Sequence, residues 1–262
     1  MSRAATLYHE VALRDALVGL MRAANDAIMA VYGADTVAVT QKSDASPVTQ
    51  ADLAAHRVLV QGLALLTPDI PVVSEEDLDS LSLRQAHALY WLIDPLDGTK
   101  EFIKRNGEFT CNLALIEGRQ ATLGFVSVPA DGRVYCGGRS LGAICIDPAG
   151  RVTPVQCSPC RSPVRVVASQ SHLTPETSAY LSGLGQDRVL VSVGSSLKFL
   201  MVAAGRADLY PRLAPTCEWD TAAGQAVLEG AGGRVETLEG GPVSYGKGDL
   251  LNPWFIARGL DA

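Results

Sequence analysis

The sequence lacks the features that mark secreted, membrane-embedded and nucleic-acid-binding proteins. Its 262 residues include only 6 cysteines, too few for a disulfide scaffold. No apolar run approaches the roughly 18 residues that a membrane-spanning helix needs, and the first residues lack the basic start and apolar stretch of a signal peptide. With 22 basic and 28 acidic residues, the net charge is −6, so the basic surplus of a nucleic-acid binder is also missing. We therefore expect a cytoplasmic protein with no nucleic-acid partner.

Cysteine and histidine are also too sparse for a zinc site. Cys157 and Cys160 have C-x-x-C spacing, but the sequence offers neither a second pair nor an H-x₃₋₅-H partner. We interpret them as loop cysteines, and their spacing alone leaves a redox role open. Cys111, Cys136 and Cys145 stand in apolar runs and are expected in the core.

What is present is a globular chain, 47% hydrophobic and 19% charged, that changes its pattern near its middle. Before Pro148 it predicts a helix from Ala5 to Val31, a helix from Leu53 to Leu66, and strands that include a hairpin at Glu117-Gly118-Arg119. After Pro148, strands and helices alternate, which indicates βαβ units. We therefore predict an α+β domain over residues 1–155 and an α/β domain over residues 156–262.

The most informative segment is Asp94-Pro-Leu-Asp97-Gly98-Thr99. It predicts a strand that ends at Asp94, stopped by Pro95, followed by a turn and a short helix near Thr99. Two carboxylates at a strand end can aim at one point, and the N–H groups of Gly98 and Thr99 can bind an anion. This pattern indicates a metal-dependent phosphatase, with an ordinary strand–turn–helix as the alternative.

Three further segments place acids at strand or helix ends. Ser74-Glu75-Glu76-Asp77 follows a strand, Asp220 opens a helix, and Thr49 with Asp52 forms a capping-box pattern. Each has a structural alternative: a solvated turn, an N-cap and a helix start, respectively. Together they offer only oxygen ligands and no histidine, a set that favours a hard ion such as Mg²⁺ over zinc or copper.

In this order, the segments around Glu75, Asp94–Thr99 and Trp219-Asp220-x-Ala-x-Gly224 resemble those of the inositol monophosphatase superfamily of Mg²⁺-dependent, lithium-sensitive phosphatases. The similarity spans most of the chain. Within the superfamily, the chain looks most like the CysQ branch, the 3′(2′),5′-bisphosphate nucleotidases. That narrower likeness is carried by Lys42-Ser-Asp44, Asp97-Gly-Thr-Lys-Glu-Phe102, Gly194-Ser-Ser-Leu-Lys-Phe199, Tyr210-Pro-Arg212 and Glu218-Trp-Asp-Thr-Ala-Ala-Gly-Gln225. Inositol phosphatases typically have Thr-Asn where this chain has Lys100-Glu101.

The resemblance implies a layered αβαβα sandwich with the site at the junction of its two halves. It also implies two or three Mg²⁺ ions, which in two-metal sites lie roughly 3.5–4 Å apart. By position, the implied metal ligands are Glu75, Asp94, Asp97, Asp220 and the main-chain carbonyl of Leu96. Asp52 matches the acid at a third metal site, and Thr99 with Glu75 matches the pair that activates the attacking water.

The implied activity is hydrolysis of the 3′-phosphate of adenosine 3′,5′-bisphosphate, a by-product of sulfate assimilation. The substrate-binding residues implied are Gly98, Thr99, His172, Ser195, Ser196, Lys198, Arg212 and Asp220. Alternatives are an inositol monophosphatase, a histidinol-phosphatase, a sugar bisphosphatase, or a catalytically silent regulator, which the intact acidic set argues against. The family also includes proteins attached peripherally to the inner membrane, but this sequence shows no anchor. It leaves open whether the protein is a monomer or a homodimer.

Overall fold

The computed structural model describes residues 2–34, 39–41, 47–168, 174–185 and 187–260. Its helices are α1 (Arg3–His9), α2 (Val11–Tyr32), α3 (Gln50–Leu66), α4 (Leu83–Ala86), α5 (Thr99–Ile103), α6 (Pro175–Gly183), α7 (Leu197–Ala203) and α8 (Glu218–Gly230), with a 3₁₀ helix at Leu78–Ser82. Its strands are β1 (Val39–Gln41), β2 (Pro47–Thr49), β3 (Val72–Ser74), β4 (Leu89–Asp97), β5 (Thr110–Glu117), β6 (Gln120–Val128), β7 (Arg133–Gly138), β8 (Gly142–Ile146), β9 (Val152–Pro154), β10 (Val164–Val167), β11 (Arg188–Val191), β12 (Leu209–Arg212), β13 (Arg234–Thr237) and β14 (Phe255–Arg258).

The N-terminal helical region is two helices, so the prediction of one helix from Ala5 to Val31 is wrong at its start. Glu10 has an extended backbone (φ −74°, ψ 98°) and separates α1 from α2. Its N–H still bonds to Thr6 O, which closes α1, while Ser2 caps the start of α1 by accepting from Ala5 N–H. Apolar periodicity alone does not reveal this break, because both helices bury apolar residues in the same cluster.

The first sheet has seven strands in the order β3-β4-β5-β6-β7-β8-β9. Only the β3–β4 pair is parallel. The predicted hairpin is confirmed: β5 and β6 are joined through Gly118 (φ 54°) and Arg119 (φ 73°). Positive φ at both turn positions is the two-residue geometry that matches strand twist, and glycine adopts it at little cost.

The sequence predicted that strand β4 would end at Asp94, stopped by Pro95, and this prediction is wrong. The strand continues to Asp97, with a register shift: Asp94 pairs with Asn112, but Asp97 pairs with Thr110, so β4 carries one extra residue there. Pro95 is tolerated because a bulge leaves one residue out of the hydrogen-bond ladder. Side chains three residues apart on a regular strand point to opposite faces. The extra residue therefore turns Asp94 and Asp97 toward the same side.

The second sheet has five strands in the order β11-β10-β12-β14-β13, with parallel pairing of β10 to β11 and to β12. One core cluster packs α1, α2 and α3 on the outer face of the first sheet. A second packs α7 and α8 between the two sheets, and a third packs α6 on the outer face of the second sheet. These layers form the predicted αβαβα sandwich. The division into domains at 1–155 and 156–262 stays a prediction, since the middle cluster is continuous between the sheets.

The cysteines follow their predicted environments. Cys111, Cys136 and Cys145 are buried in the core, and none of the six cysteines, all of which lie within the described residues, forms a disulfide. Cys157 is also buried, and burial raises the pKa of its thiol to about 11, which disfavours the reactive thiolate. Among the described residues, no helix combines the length and apolarity needed to cross a membrane.

Candidate active site

Three carboxylates meet where β3, β4 and α8 converge. Oxygen atoms of Glu75, Asp94 and Asp220 all lie within 4.8 Å of one another. Glu75 directly follows β3, and its N–H donates to Ile93 O at 3.2 Å, so pairing with β4 places it beside Asp94. Asp220 lies in the first turn of α8, where its side chain accepts the Cys217 N–H at 2.8 Å in a capping box. The predicted N-cap role of Asp220 is thus shifted by three positions.

The cluster is electrostatically costly when it holds no cation. Burial, and next the charges of Glu75, Asp97 and Asp220, raise the pKa of Asp94 well above its usual range. Burial, and next Asp97 and Glu75, raise the pKa of Asp220 in the same way. Buried carboxylates in contact either take up protons or share a cation. Because the donors are all oxygens, the cation that fits them is a hard one.

Asp97 sits beside this cluster and is held from the opposite half of the fold. Its Oδ2 accepts the N–H of Ser196 at 2.5 Å and the hydroxyl of Thr110 at 3.5 Å. Ser196 also donates through its hydroxyl to Asn112 Oδ1 at 2.8 Å. Burial raises the pKa of Asp97, while the charge of Lys198 and the Ser196 N–H oppose that rise. The start of α7 is thereby tied to the acidic end of the site.

Asp52 and Thr99 form a second polar contact within the first half of the chain. Asp52 is buried, and its Oδ2 accepts the Thr49 N–H at 2.8 Å and the Thr49 hydroxyl at 2.6 Å, which is the predicted capping box. Its other oxygen, Oδ1, lies 3.3 Å from Thr99 Oγ1. The same Thr99 hydroxyl lies 3.3 Å from Leu96 O. Burial raises the pKa of Asp52, and its bonds to Thr49 lower it.

The turn between Asp97 and Thr99 requires glycine. Gly98 has φ 92° and ψ 39°, in the left-handed region that residues with a Cβ adopt at a cost. A Cβ on Gly98 would also lie 3.0 Å from Glu108 O and 3.2 Å from Ser195 Cβ. The tight approach of these backbones lets α5 start at Thr99 directly after the metal-ligand candidates.

A cavity of about 260 Å³ opens beside the acidic cluster. Its lining includes two cationic side chains, Lys198 and Arg212. Lys198 is buried, donates from Nζ to Ser195 O at 2.7 Å and lies 5.5 Å from the Tyr210 ring centre. Burial lowers the pKa of Lys198 to about 8. Arg212 ends β12 and donates to Pro215 O at 2.9 Å, while its buried Nε has no hydrogen-bond partner. The cavity is lined by Asp97, Gly98, Lys100, Glu101, Gly194, Ser195, Ser196, Lys198, Phe199, Tyr210, Arg212, Thr216, Asp220 and Thr221.

Most of the predicted site residues converge on this region. Those within or beside the cluster and cavity are Asp52, Glu75, Asp94, Leu96, Asp97, Gly98, Thr99, Ser195, Ser196, Lys198, Arg212 and Asp220. His172 and Lys42-Ser-Asp44 lie outside the described residues. Sequence reasoning missed Thr110 and Asn112. Their signal was available, because two polar residues at alternate positions of an otherwise apolar strand mark one special face.

The chain is similar to known proteins both in sequence and in structure. A sequence profile described as the inositol monophosphatase family matches residues 10–256. The chain is 49% identical over 243 residues to the 3′(2′),5′-bisphosphate nucleotidase CysQ of Escherichia coli O157:H7, covering 92% of this chain and 97% of that protein. It is 49% identical over 238 residues to the CysQ of Salmonella typhimurium, covering 90% and 95%. The crystal structure of CysQ from Bacteroides thetaiotaomicron superimposes with a TM-score of 0.83 at 37% identity, covering 95% of this chain and 98% of that one.

Proposed function

The chain belongs to the inositol monophosphatase family, and from this premise we propose that it is a 3′(2′),5′-bisphosphate nucleotidase. It removes the 3′-phosphate of adenosine 3′,5′-bisphosphate, giving AMP and phosphate. Its metabolic role is to recycle this by-product of sulfate assimilation. The relatives named for this activity support the assignment over nearly the full chain.

One observation carries the proposal: a single cavity is lined by two acidic residues of the site and by two cationic side chains. The acidic residues are Asp97 and Asp220, and the cationic ones are Lys198 and Arg212. A substrate with a single phosphate needs only the acidic residues and the cations that they would hold. A nucleotide with two phosphates also needs positive charge for its second phosphate, and Lys198 and Arg212 supply it.

The acidic cluster fits a divalent cation. Glu75, Asp94 and Asp220 bring their oxygens within 4.8 Å of one another, with Asp94 buried and the other two half-buried. We assign these three residues, with Asp97 and the carbonyl of Leu96, as ligands of two or three Mg²⁺ ions, the third beside Asp52. Bound Mg²⁺ supplies positive charge against the charge that develops on the phosphoryl group and makes a bound water more acidic.

The protein's own groups handle the proton and the phosphoryl oxygens. Thr99 Oγ1 lies within 3.3 Å of Asp52 Oδ1, so the hydroxyl proton has an acceptor already in place. Its oxygen can then accept a hydrogen bond from the attacking water, which Glu75 faces from the end of β3. The N–H groups of Gly98 and Thr99 hold the phosphoryl oxygens where charge develops. In this assignment no covalent intermediate on the protein is required.

Lys198 and Arg212 select the substrate by binding its second phosphate. Arg212 keeps its buried Nε unpaired, a donor that a phosphate oxygen would satisfy. Lys198 is held in place by Ser195 O and the Tyr210 ring, which fixes its ammonium at the cavity wall. Ser195 and Ser196 shape this wall at the start of α7. We assign His172 to the adenine on resemblance alone.

The activity test compares phosphate release with Mg²⁺ from adenosine 3′,5′-bisphosphate and from inositol 1-phosphate. We expect kcat/KM for the nucleotide to exceed that for the inositol phosphate by at least the roughly 10-fold that one charged hydrogen bond contributes. Equal or reversed preference would contradict the nucleotidase assignment and favour another phosphatase of the family. Inhibition by Li⁺ at saturating Mg²⁺ and a cytoplasmic location stay predictions.

Arg212→Ala tests the specificity assignment. A hydrogen bond to a charged group in a partly desolvated pocket contributes about 1.5–3 kcal/mol, so kcat/KM for adenosine 3′,5′-bisphosphate should fall roughly 10–150-fold. With adenosine 3′-monophosphate, which lacks the second phosphate, the loss should be much smaller. Steady-state kinetics on both substrates measure the difference.

The matched control for this prediction is Arg151→Ala, because the Arg151 side chain is 79% exposed on the surface, where it pairs with Asp147. This control should leave both substrates unaffected. Equal losses on both substrates in Arg212→Ala would assign Arg212 to the fold or the metal site instead.

A further inference from the structure

A buried ion pair joins the two segments that carry Glu75 and Asp220. Arg84 Nη1 donates to Glu218 Oε2 at 2.8 Å, and the two side chains are 5% and 0% exposed. Glu218 is the first residue of α8, two residues before Asp220. Arg84 lies in α4, which the chain reaches shortly after Glu75. The ion pair therefore spans the gap that separates these two members of the acidic cluster along the chain.

The segment that leads to Arg84 is hydrogen-bonded to Ser74, the residue that precedes Glu75. Ser74 N–H donates to Ser80 Oγ at 3.1 Å, and Ser80 Oγ donates to Asp77 O at 2.5 Å. These bonds fold the segment from Ser74 through the 3₁₀ helix into one compact unit that leads into α4. Leu83, which precedes Arg84, donates its N–H to Ser80 O, so hydrogen bonds connect the start of α4 with the end of β3 next to Glu75.

The Glu218 end is held by several donors at once. Besides Arg84, its carboxylate accepts from Lys247 Nζ at 2.6 Å, from Gly246 N–H at 3.0 Å and from Lys247 N–H at 3.2 Å. A fully hydrogen-bonded buried carboxylate is a rigid anchor, and it fixes the first turn of α8. Asp220 lies in that same turn.

The cluster needs such an anchor because its members repel one another. Glu75 and Asp220 come from segments more than a hundred residues apart, and their oxygens lie within 4.8 Å. Carboxylates this close repel one another until a cation binds between them. We propose that Arg84 is a positioning residue that, through Glu218, holds Asp220 and Glu75 at the separation a divalent cation requires. This inference rests on the proposed function, since it takes the cluster to be a cation site.

The test is divalent-cation affinity without substrate, measured for Mn²⁺ by electron paramagnetic resonance and for Mg²⁺ by calorimetry. Arg84→Met should weaken binding about 10–100-fold, the range for residues that orient metal ligands. Arg84→Lys keeps a cationic donor and should recover most of the affinity.

The matched control is Arg165→Met, which breaks another ion pair with a fully buried carboxylate. Arg165 of β10 pairs at 2.6 Å with Asp208, which directly precedes β12, so the pair joins neither the Glu75 nor the Asp220 segment. Arg165→Met should lower the thermal stability as Arg84→Met does, but leave Mn²⁺ affinity within about 2-fold of wild type, because it removes no contact to the metal-ligand segments.

A folded Arg84→Met variant with wild-type Mn²⁺ affinity would overturn the inference. If that variant does not fold, Glu218→Gln serves instead, since the amide keeps the shape while losing the charge that holds Arg84. It should show the same weakening, and unchanged affinity would again overturn the inference. Absence of Mn²⁺ and Mg²⁺ binding by the wild-type protein would instead contradict the proposed metal site, so the two failures are distinguishable.

Discussion

Asp220→Asn should lower kcat/KM for adenosine 3′,5′-bisphosphate by more than about 10³-fold. Mutating a residue that only orients a metal ligand typically lowers activity about 10–100-fold. Removing the charge of a ligand itself should lower activity further. The amide oxygen can still accept the Cys217 N–H that Asp220 now accepts at 2.8 Å, so the first turn of α8 should survive. Steady-state kinetics at saturating Mg²⁺ measure the loss. Turnover within 10-fold of wild type would remove Asp220 from the metal site.

The same substitution should stabilise the metal-free protein in a pH-dependent way. Burial and the neighbouring acids raise the pKa of Asp220 well above its usual range, so the folded state binds a proton more tightly than the unfolded state. Stability from this group is present below the unfolded pKa of about 3.9 and is lost as pH rises toward the raised value. An asparagine at position 220 keeps this stability as the pH rises, because its side chain does not ionise.

Thermal unfolding in EDTA measures this predicted effect of Asp220→Asn on the stability of the metal-free protein. The unfolding temperature of Asp220→Asn should exceed that of the wild type by a margin that grows as pH rises from about 4 toward neutrality. Added Mg²⁺ should raise the unfolding temperature of the wild type far more than that of the variant. A variant less stable than wild type across this pH range would indicate that Asp220 serves the fold rather than the cation.

Thr99→Ala should lower kcat by roughly 10²–10⁴, the span of a general acid–base partner, with little change in Mg²⁺ affinity. The reason is the position of the hydroxyl, within 3.3 Å of both Asp52 Oδ1 and Leu96 O. Its loss removes the group that relays the proton of the attacking water toward Asp52. Pre-steady-state and steady-state phosphate release measure kcat, and calorimetry measures Mg²⁺ binding.

Thr99→Ser is the matched control, because it keeps the hydroxyl and removes only a methyl group. Its kcat should stay within about 10-fold of wild type, since the proton-transfer contribution of 10²–10⁴ is retained. Equal losses in the alanine and serine variants would mean that Thr99 acts by packing. A wild-type kcat in Thr99→Ala would take this residue out of the mechanism.

Much of the site could be predicted from the sequence because its signals are local. The capping box of Thr49 and Asp52, the turn at Gly98 and the hairpin at Gly118 depend on residues within a few positions of one another. Such preferences act through the backbone geometry of a single turn, so they persist in any fold that contains it. The change from antiparallel to alternating patterns indicated the α+β and α/β character of the two parts, whereas the order of the layers was implied by the family resemblance.

The tertiary structure decided how these local pieces meet. The bulge between Asp94 and Asp97 turns both side chains to one side of the sheet. From the local preferences of Pro95 alone, the strand was predicted to end at Asp94. The bond from Ser196 N–H to Asp97 joins groups 99 residues apart, and the Arg84–Glu218 pair spans 134 residues. Such contacts depend on how the two sheets pack around α7 and α8, and no short window of sequence encodes that packing. The sequence by itself therefore predicted which residues carry the chemistry, and only the packing of the layers determined the distances between them.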